Sequence, residues 1–254
     1  MALTGGMLDD LPVEVRQTLR SYLAEVTALF GAALQGVILY GSAAQGDFLP
    51  GRSNINLLLL VSSCDLPTLQ QYAKVHKRWN GEGIVAPLFL SEAELRASAD
   101  VFPLEYSEIK EQHVLLAGRD PFPEFHLDSR NLLLQCEQEV RGNLLRLRQR
   151  FVEGGGTQEA TTILLPLSLT ALLPCLRGLL RLLGLSAPRG AETLLKGLPA
   201  VLGFDSTVFQ EVLSLKRGQI SPGPIETPRL FERYVSSLQS FIQRIEELKT
   251  EGRL

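Results

Sequence analysis

From residue 127 to the C-terminus, the apolar residues of this 254-residue chain recur at helical spacing with no clear strand pattern. Before that point, helical periods alternate with short apolar runs. This change of pattern constrains the fold more than any single motif, because long helices with one apolar stripe must bury it against one another. It predicts an α+β N-terminal domain over 1–120 and an all-α helical bundle over 121–254. Bundle helices are predicted at 127–152, 157–185, 191–201, 206–216 and 228–251, separated by punctuation such as VEGGGT and SPGPIETP. With 45% hydrophobic residues, the chain can fill two modest cores.

Several function classes fall away on composition. A formal net charge of -3 and a pI near 5.7 give no basic footprint, so nucleic acid is not expected as a primary ligand. Residues 160–176 run for 17 positions without a charge, the lower edge of what a bilayer needs, but Pro166, Pro174, Arg177 and Arg181 interrupt the pattern. A buried bundle helix is expected there, and no membrane. The opening MALTGGMLDD has neither the basic region nor the apolar core of a secretory signal, which predicts a cytoplasmic protein. Cys64, Cys136 and Cys175 lack zinc-binding spacing and read as reduced core thiols; His76, His113 and His126 are scattered. Arg141, Arg146, Arg148 and Arg150 spread round a helix as a solvated surface would. Arg177 and Arg181 share one helical face, turned either into a ligand cleft or out to solvent by snorkelling.

In the N-terminal half, LPVEVRQTLRSYLAEVTALFG predicts an amphipathic helix with Pro12 in its first turn after Asp9 and Asp10, ending at Gly31. Strands are predicted at 36–40, 56–61, 84–90 and 114–117, and a helix at 66–79. SEAELRASAD has Ser91 as a helix cap and Glu94 at the capping-box position.

The stretch GVILYGSAAQGDFLPGRSNINLLLLV joins the first two strands. Its Gly41 and Ser42 follow one apolar run, and Ser53, Asn54 and Asn56 precede another. This pattern resembles the signature of the nucleotidyltransferase superfamily, and the order of elements resembles its aminoglycoside adenylyltransferase-like group with a helical C-terminal domain. The resemblance implies a small mixed-sheet domain that binds a nucleotide through Gly41, Ser42, Arg52 and Ser53. FPLEYSEIKEQHVLLAG is similar to a family segment holding a helix and an edge strand.

Asn54 and Asn56 stand where the family has two metal-binding acids. Residues at i and i+2 of a strand share a face, so two carboxylates there can grip Mg²⁺, whereas two amides bring carbonyl oxygens without charge. The third strand, IVAPLFL, brings no acid either. Asp47, Glu82, Glu92 and Asp100 lack the strand geometry to replace the pair, and Glu105 and Glu108 are expected on an exposed helix.

The resemblance therefore implies a degenerate member with no catalytic residue, no metal and no cofactor, acting as a nucleotide- or protein-binding module. One alternative is an active enzyme moving a nucleoside monophosphate to a hydroxyl or amine with Mg²⁺ and acids elsewhere. Another is a helical interaction protein: Phe231, Tyr234, Leu238, Phe241 and Ile245 form a stripe that packs inside its own bundle or makes a homodimer.

Overall fold

A computed structural model describes residues 11–254; Asp9 and Asp10, proposed to precede the first helix, lie outside the described residues. The protein is α+β, with a small four-stranded mixed sheet and a helical C-terminal region. It divides into two compact units, the first ending at Leu127 and the second beginning at Asp128.

The first unit runs α1 (Val13–Phe30), β1 (Leu34–Tyr40), α2 (Ser42–Gln45), β2 (Asn56–Val61), α3 (Leu66–Gly81), β3 (Leu88–Leu90), α4 (Glu92–Ala97), α5 (Pro103–Glu111) and β4 (Val114–Gly118). The sheet order is β3-β2-β1-β4, with β1 antiparallel to both neighbours and β2 parallel to β3. Both faces of the sheet are covered, which is why β1 and β2 read as unbroken apolar runs. Val37, Leu39, Leu57 and Leu59 pack with Tyr22, Val26 and Trp79 on one side. Ile38 and Leu58 pack with Leu95, Tyr106, Ile109, Phe122 and Phe125 on the other.

Two boundaries differ from expectation. Strand β3 is shorter than 84–90 because Pro87 has no N–H to give a ladder; only an isolated bridge from Ile84 to Ile55 precedes it. The division between units falls after the segment following β4 instead of near Asp120, since Phe122 and Phe125 are 1% and 2% exposed in the first unit's core. Ser91 and Glu94 close the capping box of α4 as its sequence specifies.

The second unit contains α6 (Ser129–Glu153), α7 (Gln158–Leu182), α8 (Ala191–Leu202), α9 (Thr207–Lys216) and α10 (Glu226–Thr250). Asp128 starts it by accepting the N–H of Arg130 at 2.8 Å. Helix α7 packs against all four others. Among the described residues it alone is long and apolar enough to cross a membrane, with mean hydropathy 1.9, and 67% of that stretch is buried. The stripe on α10 is spent inside its own bundle: Tyr234, Leu238 and Phe241 are buried, and Tyr234 meets Phe209 edge-on at 5.2 Å. Snorkelling does not describe Arg177, which is 1% exposed, nor wholly Arg181, which is half-buried. Cys136 and Cys175 are buried thiols, while Cys64 is only half-buried.

Candidate functional site

Strand β1 ends at Tyr40, and the chain turns at once through Gly41, whose φ of 74° is strained for any L side chain. A Cβ built on Gly41 would stand 2.7 Å from Nδ2 of Asn56, the end of a side chain that would have to turn aside. The backbone conformation is what calls for glycine, and the close approach places the Asn56 amide directly against the turn. The N–H groups of Ala44 and Gln45 donate to the Gly41 carbonyl at 2.9 and 3.0 Å, closing the single turn of α2. Buried Ala43 and Ala44 anchor that turn in the core on the α1 side.

Asn56 opens β2 directly opposite Tyr40, and opposed residues of an antiparallel pair project to the same face. That is the face of Ile38 and Leu58, where α5 packs. Asn56 is half-buried; Asn54, just outside the strand, is exposed. Among the described residues, no protein hydrogen bond engages the side chains of Ser42, Asn54 or Asn56. Ser53 differs, since its hydroxyl accepts the Leu49 N–H at 3.0 Å and its own N–H donates to the Leu49 carbonyl at 2.8 Å. It ties the loop together. Arg52 is exposed in the same turn, its N–H donating to the Leu49 carbonyl at 3.0 Å. The structure therefore brings Gly41, Ser42 and Asn56 together, and Ser53 also closes the loop.

Sequence inspection passed over the acids that do approach this turn. Gln45 Nε2 donates to Glu108 Oε2 at 3.2 Å, and Glu108 is 9% exposed. Helix α5 is not an exposed helix: it buries Pro103, Leu104, Tyr106, Ser107, Glu108 and Ile109. The signal lay in apolar residues on every side of PLEYSEI, which mark a helix covered all round. Burial, and secondly the charge of Glu105, push the Tyr40 phenol up to about 12. Glu105 keeps much of its surface in solvent, yet partial desolvation raises its carboxyl above the usual range.

Other acids are committed elsewhere or remote in role. Glu92 pairs with Arg96 at 2.9 Å and Arg119 at 3.2 Å. His113 pins the start of the post-β4 segment, with Nε2 3.1 Å from Asp120 Oδ2. Among the described residues, no three His, Cys, Asp or Glu side chains converge as a metal would need. Mg²⁺ wants several anionic oxygens in octahedral array, and neutral amides at 54 and 56 do not fit that demand. No base is bonded to the Ser42 hydroxyl among the described residues. What the turn offers is a set of neutral hydrogen-bonding groups beside a half-buried phenol and two carboxyls. No protein-family model and no curated protein matches this chain.

Proposed function

We propose that the first unit is a nucleotidyltransferase-like domain that holds a nucleotide without transferring it, in a cytoplasmic protein whose ancestral metal chemistry is lost. One observation supports this most: the half-buried Asn56 amide rests against the Gly41 turn and has no hydrogen bond to the protein among the described residues. A carboxylate at that place would repel a phosphate unless a cation stood between them. An amide N–H donates to phosphate oxygens directly, so the exchange of acid for amide removes the metal and keeps an anion contact. Ser42 supplies a second neutral donor at the head of α2. Loss of two formal charges at metal distance costs several kcal/mol of cation binding even in a partly solvated site, which silences transfer more than binding.

Calorimetric titration of the whole chain with ATP, GTP and CTP tests this, each with Mg²⁺ and with a chelator. Binding with Kd of about 1 mM or tighter that survives the chelator, without release of pyrophosphate, is the expected result. Binding that vanishes with the chelator, or nucleotide turnover, contradicts it. A protein-binding role is the second reading, favoured by Ile163 and Leu167, 60% and 54% exposed one turn apart on α7. Concentration-independent monomeric sedimentation with no loss of nucleotide binding in Leu167→Ser separates it from the first.

A further inference from the structure

The second unit holds a cavity of about 420 Å³ between α9, the loop that follows it and the first two turns of α10. Its walls mix two arginines with two glutamates, and the bonding of each decides what remains available. Arg233 is paired with Glu211 at 2.5 Å. Glu226 accepts the Gly223 N–H at 2.8 Å. Glu211 is therefore neutralised, while Glu226 is held by the loop backbone and keeps its negative charge at the cavity's edge. Arg229, three residues after Glu226 and four before Arg233, lines the same cavity and has no hydrogen bond or ion pair to the protein among the described residues. The Ser221 hydroxyl is likewise unengaged there.

The loop forming the opposite wall is fixed at its end, because the Pro222 carbonyl accepts Gln158 Nε2 at 2.8 Å and Thr227 Oγ1 at 3.2 Å. Ile220 and Pro222 give that wall an apolar surface. A guanidinium and a hydroxyl beside a fixed apolar wall match an anion with a hydrophobic body. We propose that this cavity binds a small organic anion, a carboxylate or phosphate monoester, held at its charged end by Arg229 and Ser221 and along its body by Ile220 and Pro222. Its volume lies at the lower end of ligand pockets, which limits the body to about one ring. Arg229 is exposed, so the interaction is screened and weakens as salt rises. This site stands apart from the nucleotide proposal and survives its failure.

The test is an NMR titration of the full chain with phenyl phosphate, benzoate, inorganic phosphate and benzylamine, read at the amides of Ser221 and the first turns of α10. Phenyl phosphate or benzoate should saturate with Kd of about 1 mM or tighter, inorganic phosphate should bind more weakly, and benzylamine should leave these amides unmoved. Whichever of the two organic anions binds more tightly assigns the head group. Arg229→Ala should weaken binding by about tenfold while leaving the melting temperature unchanged, since Arg229 bonds no protein group among the described residues. No saturable shift with either organic anion, an equal response to benzylamine, or undiminished binding in Arg229→Ala would overturn the proposal.

Discussion

Asn143 in the second unit and Asn56 in the first are the same side chain in opposite circumstances. Asn143 is 4% exposed, its Nδ2 donates to the Ser168 carbonyl at 2.8 Å, and its Oδ1 accepts the Ser168 hydroxyl at 2.5 Å. Ser168 passes the network on to the Tyr234 hydroxyl at 3.1 Å, so three helices, α6, α7 and α10, share one polar node. Asn56 is half-buried and, among the described residues, spends neither end of its amide on the protein. A satisfied buried amide specifies which helices meet, whereas an unspent amide against a strained turn contributes little to stability and is available to a ligand.

The largest expected effect lies at the satisfied amide. Asn143→Ala removes the bonds from Asn143 to the Ser168 carbonyl and hydroxyl in a dry interior, leaving the hydroxyl only Tyr234, and should cost about 3 kcal/mol in urea denaturation. Gly41→Ala comes next, at about 2 kcal/mol, mainly because the backbone stays at positive φ, the added methyl displacing only the end of the Asn56 side chain. Pairing it with Asn56→Gly should recover only the steric part, which separates the two constraints. Asn56→Ala alone should shift stability by no more than about 0.5 kcal/mol. Equal losses from Asn143→Ala and Asn56→Ala would break the comparison.

The smallest effect concerns pH. Desolvation raises the Glu105 carboxyl in the folded state, so its contribution to stability is fully present below the unfolded carboxyl range and is lost as pH rises through the folded value. Glu105→Gln should therefore gain stability relative to the parent on going from acidic to neutral pH, in thermal melts across that range. A difference that stays flat with pH would show that Glu105 is not desolvated.

Much of the architecture was legible because burial pattern and punctuation agree. Helix α9 was expected at 206–216 and occurs at Thr207–Lys216; β2 begins and ends at Asn56 and Val61, as the apolar run implies. The capping box at Ser91 is local chemistry that needs no tertiary context. Strand β3 was over-extended because apolar residues alone do not register the missing N–H of Pro87. The Gly41 and Asn56 contact was foreshadowed by the motif, but its intimacy depends on the Tyr40 and Asn56 register, which no spacing rule fixes. Glu108 was passed over because charge suggests exposure, while only the packed helix reveals that it reaches Gln45. Ser53 was assigned to ligand on its place in the motif; the structure adds a loop closure, in which its hydroxyl accepts the Leu49 N–H and keeps its own O–H to donate.

The most direct measurement follows the Asn56 side-chain amide by nitrogen-15 NMR while a non-hydrolysable ATP analogue is added in the presence of a chelator. Metal-independent capture predicts a saturable shift of the Asn56 Nδ2 resonances, with the Asn143 amide unmoved. A shift seen only after Mg²⁺ is restored, or none under either condition, would contradict the account.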